Sequence, residues 1–374
     1  MKRVFLTGAT GTIGAALVPR LLRDPGTSLT ALIRARDEFD LQARLRAMVA
    51  YWGYEPGDSN ATRIHAVRGD ISLPEFGLRP HDRIGLDGTT HIVHCAANVK
   101  LNMTIDQANA TAVVPTRTVL AWGERFARAG TLSKIDVVST VGVWGRTPGD
   151  MPERPLAEVR DFHNTYERAK AEAERVIWAE GGGLPITVHR PSMVVGERGT
   201  GRVLHFQVFY HLCEFLSGVR TFGLMPDLGE TKLDIVPVDW VADAIAWSSQ
   251  RPETAGRIYH LCSGAPDAIL LRRLQAIVRE AWTARGGRLP ALRRVHRRVL
   301  ERVAAALGAV AGTKGRRALR ALPAVTAYLA ETQGFSNKES SRVFASAGLP
   351  VPPISSYLDD VLDFYLDARQ DGTR

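Results

Sequence analysis

Cysteine is scarce in this 374-residue chain, and no apolar run is long enough to cross a bilayer. The three cysteines are odd in number and lie inside apolar segments, at Cys95, Cys213 and Cys262. This usage predicts buried free thiols in a reducing compartment rather than disulfides. The longest weakly apolar run, 303–311, is about half of the roughly 20 residues that a spanning helix needs. An export signal needs a continuous apolar segment after its basic start, and the threonines and glycines of residues 7–12 break that segment. We therefore expect a cytoplasmic protein without a membrane span.

The net charge of +9 is concentrated in one stretch of the chain, residues 285–320. This stretch holds eleven arginines and lysines and one acid, Glu301, so its own charge is +10 while the rest is close to neutral. The bases are Arg285, Arg288, Arg293, Arg294, Arg297, Arg298, Arg302, Lys314, Arg316, Arg317 and Arg320. Such local basicity predicts one surface for an anionic partner.

The order of apolar patterns along the chain indicates the fold class. The first two-thirds alternate short β-branched runs with helical patterns, which is typical of a parallel sheet wrapped by helices. The predicted strands are residues 3–6, 28–33, 64–68, 91–94, 135–139 and 186–190, and the predicted helices are about 12–23, 38–51, 106–129 and 160–180. After Pro191 the rhythm changes, with helices expected over 204–217 and from 269, and returning strands over 233–238 and 258–262.

We therefore predict an α/β, doubly wound parallel-sheet Rossmann fold with a smaller, mostly helical C-terminal lobe. A chain of this length exceeds what one compact core usually organises. The Rossmann domain would comprise residues 1–196 and about 231–263, and the lobe about 197–230 and 264–374.

A glycine-rich turn joins the first strand to the first helix. Gly8 and Gly11 permit a tight turn and a close approach of the backbone to a pyrophosphate, and Gly14 lets the helix pack on the sheet. The free N–H groups at the helix N-terminus add positive potential. The sequence predicts a dinucleotide site here, formed by Thr7, Gly8, Thr10, Gly11, Thr12, Ile13 and Gly14.

The end of the second strand bears on which dinucleotide is bound. About twenty residues past the last glycine, NAD enzymes place an acid and NADP enzymes an arginine. Here that position is Arg34, with Arg36 beside it, and Asp37 falls beyond the strand end. A guanidinium group can donate two parallel hydrogen bonds to a 2′-phosphate, so an arginine at this position favours NADPH.

A tyrosine and a lysine form the candidate catalytic pair. Tyr166 and Lys170 are spaced i, i+4, so both project from one helix face. The pair follows the strand that ends in Ser139 and Thr140, one helix later. An ammonium group there would lower the pKa of the phenol, which could then protonate a carbonyl oxygen.

Taken together, these motifs resemble the extended short-chain dehydrogenases. The likeness covers about residues 1–265 and includes the T-G-x-x-G-x-x-G turn, the Y-x-x-x-K pair and four further segments, 94–97, 190–196, 233–245 and 259–264. Within that family the chain is most similar to fatty acyl-CoA reductases and to the thioester reductase domains of carboxylic acid reductases and peptide synthetases. One departure is the segment 112–116, where the family often has N-x-x-G-T; Asn109 lies one turn earlier.

The resemblance implies roles for individual residues. Aligning 143–145 with the family's V-Y-G places Thr140 as the catalytic hydroxyl, with Ser139 as the fallback. Tyr166 and Lys170 would complete the catalytic set and also contact the cofactor's ribose. The remaining cofactor residues implied by the family are Asp70 and Ile71 near the adenine, Ala96 and Ala97 near the ribose and nicotinamide, and Pro191, Ser192 and Met193.

The implied reaction is NADPH-dependent reduction of an activated acyl thioester to an aldehyde, with a second reduction giving the alcohol. No adenylating or carrier domain fits in 374 residues, so we expect acyl-CoA or an acyl-carrier protein to deliver the substrate. One alternative is an extended short-chain dehydrogenase that acts on a ketone, an alcohol or a nucleotide sugar. Another is a non-catalytic dinucleotide sensor, which the presence of both Tyr166 and Lys170 disfavours.

The basic stretch predicts a helix whose apolar stripe comprises Leu292, Val295, Val299, Val303 and Ala306. Its partner would be CoA phosphates, an acidic carrier protein or an anionic membrane touched peripherally by the helix near 292–320, unless the charges only aid solubility. No nucleic-acid motif accompanies the charge.

An apolar and aromatic run over residues 206–216 is a candidate either for the lining of an acyl-binding tunnel or for the core of the lobe. His205 and His211 lack a metal-ligand pattern, so no metal is assigned.

Overall fold

The computed structural model describes residues 1–55, 57–101, 103–156, 161–296 and 333–371. Its strands are β1 (Lys2–Thr7), β2 (Thr27–Ile33), β3 (Ile64–Arg68), β4 (His91–His94), β5 (Lys134–Val138), β6 (Gly149–Met151), β7 (Ile186–Pro191), β8 (Met193–Val195), β9 (Leu224–Met225), β10 (Lys232–Leu233), β11 (Ile235–Pro237), β12 (Ile258–Leu261), β13 (Ile269–Leu270), β14 (Arg293–Arg294) and β15 (Gln333–Phe335).

Ten α-helices are present in the described parts of the chain. They are α1 (Thr12–Leu21), α2 (Glu38–Tyr51), α3 (Pro80–Gly85), α4 (Ile105–Arg128), α5 (Thr165–Glu180), α6 (Val208–Ser217), α7 (Val238–Ser249), α8 (Leu271–Ala284), α9 (Lys338–Ser346) and α10 (Leu358–Gln370). The predicted helices near 12–23, 38–51 and 106–129 are confirmed within two residues.

Seven parallel strands form the central sheet, in the order β12-β7-β5-β4-β1-β2-β3. All six strands predicted for the first two-thirds of the chain belong to it, which confirms the doubly wound fold. The strand order reverses between β1 and β4, and in open sheets of this kind ligands bind at the carboxyl ends beside such a reversal. The fold therefore opens a crevice where the glycine-rich turn leaves β1.

Apolar packing is divided between the sheet and a separate lobe. Clusters cover the sheet, and a further cluster joins residues around α6, α8 and α10. Helix α9 joins the sheet rather than the lobe core, because Phe344 is fully buried against Trp240, Trp247 and Tyr259. The division of the chain into two domains stays a prediction.

Two local predictions after Pro191 differ from the structure. Residues 233–238 add no strand to the central sheet: β10 pairs with β13, and β11 pairs with β8. Asp234 separates them, because its carboxylate is turned to the N–H groups of Ser263 and Gly264, at 2.8 and 2.9 Å. The helix expected from residue 204 begins only at Val208.

The helix predicted for the basic stretch is wrong where the structure describes it. Arg293–Arg294 is a short strand, β14, parallel to β9, and Arg293 N–H donates to the Gly223 carbonyl at 2.8 Å. Pairing between strands overrides the helical periodicity here. Residues 297–320, on which the basic helix and its membrane contact chiefly depend, lie outside the described residues. None of the helices in the described ranges is both long and apolar enough to span a bilayer.

The cysteines lie where their apolar neighbours place them. Cys213 and Cys262 are buried and Cys95 is partly buried, and all three are free thiols. Burial raises the pKa of the Cys95 thiol to about 12. The thiols are therefore protonated near neutral pH.

Candidate active site

A cavity of about 590 Å³ lies at the carboxyl edge of the sheet, between the sheet and the lobe. It collects most of the predicted site on one surface: Gly11, Thr12, Ile13, Gly14, Ala97, Thr140, Tyr166, Lys170, Pro191, Ser192 and Met193. The predicted residues outside its walls are Thr7, Gly8, Thr10, Arg34, Arg36, Asp70, Ile71 and Ala96. Thr7 ends β1, and the others follow the carboxyl ends of β1, β2, β3 and β4. Those after β2 and β3 lie toward the end where an adenosine would extend.

The glycine-rich turn has the geometry that a pyrophosphate requires. Gly8 has φ of +85°, and a Cβ there would lie 2.6 Å from the Ala96 nitrogen. A Cβ on Gly14 would collide with the Gly8 carbonyl, so the helix could not approach the turn. Gly11 occupies the N-cap of α1 and offers no side chain to cap it. The N–H groups of this first helical turn suit an anion, and the residues present therefore fit a dinucleotide.

Thr7 supports the turn from below. It is fully buried, and its hydroxyl oxygen lies 2.7 Å from His94 Nδ1 while accepting from Ala96 N–H at 3.3 Å. Burial lowers the pKa of His94 to about 3, so the ring is neutral. Thr7 thus joins β1 to the segment after β4, and its position indicates a support for the cofactor turn rather than a direct contact.

Tyr166 and Lys170 come from the first turns of α5. Asn164 caps this helix, its Oδ1 accepting from Glu167 N–H at 2.9 Å. Lys170 is buried, and its Nζ donates to the Val138 carbonyl at 2.8 Å. Burial lowers the pKa of Lys170 to about 8. Burial, with the charge of Glu167, raises the pKa of Tyr166 above its ordinary value. The lowering of the phenol pKa expected from Lys170 is therefore not seen, because burial determines the direction of the shift. A neutral phenol that holds its proton suits general acid catalysis.

Two hydroxyls end strand β5 on the cavity wall. Thr140 Oγ1 accepts from Gly142 N–H at 3.1 Å and caps the short 3-10 turn Val141–Trp144. Its own proton remains for donation, because the oxygen serves as acceptor to Gly142. Ser139 Oγ is buried and has no hydrogen-bond partner among the described residues. Both candidate hydroxyls therefore face the same space.

Three of the predicted polar side chains follow β2 and β3, where an adenosine would extend, and they differ in whether they already have partners. Arg34 is exposed and has no ion pair or hydrogen bond with the described residues. Arg36 is 86% exposed and pairs with Asp40, Nε to Oδ2, at 3.4 Å. The Asp70 carboxylate accepts from the N–H and hydroxyl of Ser72, at 2.9 and 2.7 Å. Arg34 is therefore the cation best placed to meet a phosphate.

The sequence reasoning missed several polar residues of the cavity wall. His163 and Glu167 pair at 2.9 Å beside Tyr166, and the i, i+4 spacing that marked Tyr166 and Lys170 could have marked them as well. Asp234 is a buried carboxyl on the wall, and burial raises its pKa to about 6. Gln207 also lines the cavity, and no local pattern indicates it.

The remaining candidates lie mostly away from the cavity. Phe209, Tyr210, Leu212, Phe215 and Leu216 are buried in the lobe core, while Val208 lines the cavity. The aromatic run is therefore chiefly core. Asn109 lies on α4 outside the cavity walls, with its Oδ1 buried and unpartnered among the described residues.

A comparison with known protein families shows which family the chain belongs to. The family model of the male sterility protein, an NAD-binding family, matches residues 6–245. The chain belongs to the male sterility protein family. A solved structure similar to this family member is the terminal R domain from the myxalamid PKS-NRPS biosynthetic pathway, with a TM-score of 0.78 and 26% identity, covering 100% of this chain and 92% of that one. The resemblance to reductases of this type is confirmed.

Curated relatives of this male sterility family member are much longer proteins. An isonitrile lipopeptide synthase of Streptomyces coeruleorubidus is 31% identical over 262 residues, covering 69% of this chain and 17% of that protein. The nonribosomal peptide synthetase FrzA of Cladobotryum sp is 29% identical over 271 residues, covering 69% of this chain and 26% of that protein. The chain thus spans about a quarter or less of these two relatives.

Proposed function

We propose that this protein uses NADPH to reduce an acyl thioester, carried on CoA or on a carrier protein, to an aldehyde. The observation that carries the proposal is that one cavity is lined by the glycine-rich turn together with Tyr166, Lys170 and Thr140. Peptide synthetase relatives and the similar R domain support a thioester substrate rather than a free ketone.

The residues of the cavity suit the proton movements of this reaction. A bound NADPH supplies hydride to the carbonyl carbon. Tyr166 donates its proton to the oxygen as negative charge develops there, and Thr140 donates a hydrogen bond to the same atom. Lys170 supports the transient phenolate with its ammonium. When the hemithioacetal collapses, its hydroxyl proton returns to Tyr166, the C–S bond breaks, and the thiolate takes a proton from water.

Arg34 supports the choice of NADPH over NADH. Its exposed guanidinium lies at the carboxyl end of β2, and no described residue competes for it. A 2′-phosphate would gain a charge-assisted pair there, whereas a 2′-hydroxyl would gain little.

The experiment follows NADPH oxidation together with thiol release. The panel contains acyl-CoAs, carrier-bound acyl thioesters, matched oxygen esters, ketones and nucleotide sugars. We expect oxidation with thioesters alone and one thiol released per NADPH for an aldehyde product. Two NADPH per thiol would indicate the alcohol as product. Oxidation with a ketone, or no oxidation with any thioester, would overturn the proposal.

A further inference from the structure

The loop between β8 and α6, residues 197–207, contacts both a helix beside the sheet and a helix of the lobe. We call this loop the strap. Arg198 binds Asp239 of α7 through its N–H at 3.1 Å and its Nε at 2.6 Å. Gly199 N–H donates to Asp360 of α10 at 2.8 Å. One end of the strap is therefore fixed.

The other end of the strap reaches the glycine-rich turn. His205 Nε2 lies 3.1 Å from the Thr10 carbonyl oxygen, and because a carbonyl only accepts, Nε2 carries the proton. Gln207 Nε2 donates to Thr12 Oγ1 at 2.9 Å. Both side chains line the cavity. The lobe thus contacts the turn at two residues that flank Gly11.

The Gln207 contact determines where the hydroxyl proton of Thr12 can point. A hydroxyl has one proton, and since Gln207 donates to the oxygen, that proton is free for another acceptor. Thr12 is the first residue of α1 and lines the cavity, so its hydroxyl sits with the uncapped N–H groups of the first helical turn. An anion bound to those groups can accept the proton.

Gln207 also occupies the N-cap of α6, yet its side chain does not cap that helix. The amide is used on Thr12 instead. The next residue, Val208, lines the cavity. One side chain therefore joins the start of the cofactor helix to the start of the first lobe helix.

We propose that Gln207 is a positioning residue for the dinucleotide, acting through Thr12, with His205 holding the turn beside it. By fixing the Thr12 oxygen, Gln207 directs the hydroxyl proton to the pyrophosphate. The inference rests on the proposed dinucleotide site but not on the thioester as substrate.

The test is a double-mutant cycle on NADPH affinity in the full chain. Gln207→Met keeps the size of the side chain and removes the donor, and we expect it to raise the Kd for NADPH about 2- to 10-fold, as for a lost hydrogen bond. Thr12→Val should raise the Kd as well. In the Thr12→Val background, Gln207→Met should add almost nothing, because residues that act through one another are not additive.

Two further variants keep the test decisive. Thr12→Ser retains the hydroxyl, so Gln207→Met should keep its full effect in that background even if Thr12→Val folds poorly. Gln275→Met is the matched control: Gln275 Nε2 donates to the Leu216 carbonyl in the lobe at 3.3 Å, and its loss should leave the Kd unchanged.

An unchanged NADPH Kd in Gln207→Met, or independent effects of the two substitutions, would overturn the inference. A lower melting temperature without a change in Kd would show a merely structural contact and would overturn it too. If NADPH binds with the expected cycle but no thioester is reduced, the proposed function fails and the role of Gln207 stands. If wild-type protein binds no dinucleotide, both fail.

Discussion

The two walls of the cavity are built in different ways. The sheet wall depends on main-chain geometry: strand ends, the positive φ of Gly8 and the N-terminus of α1 place its groups. The opposite wall, called the lobe wall, comes from separated stretches, 205–208, 230–234, 265–268 and 333–335. Long-range side-chain contacts such as that of Gln207 with Thr12 hold it against the sheet wall. We infer that the sheet wall determines the chemistry and the lobe wall determines what is reduced. Substitutions on the two walls should therefore have different kinetic effects.

The sheet wall should be most sensitive at Tyr166. Tyr166→Phe removes the proton donor and should lower kcat by about 10²- to 10⁴-fold. NADPH affinity should stay nearly intact, since the ring remains. Steady-state kinetics with fluorescence titration of NADPH measures both. A variant that retained more than about a tenth of the wild-type rate would exclude acid catalysis by Tyr166.

The next largest effect separates the two hydroxyls of β5. Thr140→Ala should lower kcat by about 10²- to 10³-fold, as for the loss of one oxyanion donor. Ser139→Ala should have a smaller effect if Thr140 is the donor. The two kcat values, measured side by side at saturating thioester, decide the assignment. The reverse order would move the role to Ser139.

Arg34 tests the adenosine end of the same wall. Arg34→Ala should weaken NADPH about 10- to 100-fold through the loss of a charge-assisted pair. NADH affinity should change little, because NADH has no 2′-phosphate. Arg36→Ala tests the second predicted arginine and should have a smaller effect on NADPH, since Arg36 pairs with Asp40. Equal weakening of NADPH and NADH would contradict the NADPH preference.

Titration of Lys170 gives a smaller, pH-dependent effect. Burial lowers the pKa of Lys170 to about 8, so the ammonium is present below that pH and lost above it. We expect kcat/KM for NADPH to be level below about pH 8 and to fall toward tenfold per pH unit above it. Lys170→Arg keeps the charge and should flatten the fall if the protein folds. A level wild-type profile up to pH 10 would remove Lys170 from this role.

The smallest expected effect belongs to the lobe. Arg293 and Arg294 are exposed on β14, which pairs with β9. Changing both to Glu should raise the KM for the thioester by a few-fold, because exposed ion pairs contribute about 0.2–1 kcal/mol each. The rise should shrink as salt increases, and NADPH affinity should not move. Unchanged KM for both CoA and carrier substrates would leave these arginines only a solubility role.

The same contrast explains what could be predicted from the sequence. The glycines from Gly8 to Gly14 lie in one short segment after β1, and Tyr166 and Lys170 lie in one segment after β5. Their spacing, read together with the preceding strand, therefore indicated the cofactor turn and the candidate catalytic pair. Gln207 meets Thr12 across 195 residues, and no periodicity reports such a contact. The helix predicted at Arg293–Arg294 was wrong for a similar reason, because the pairing of β14 with β9 is a tertiary contact that sequence periodicity does not report.

Helix α9 bears on how the chain is made. Phe344 completes an aromatic cluster with Trp240 and Trp247 of α7 and Tyr259 of β12, and Trp240 Nε1 donates to the Leu349 carbonyl at 3.1 Å. During synthesis on the ribosome, β12 emerges about eighty residues before α9. Phe344 is fully buried and contacts all three rings, so α9 covers this aromatic surface. The cover of this aromatic surface therefore depends on a segment that is made about eighty residues after the strand it protects.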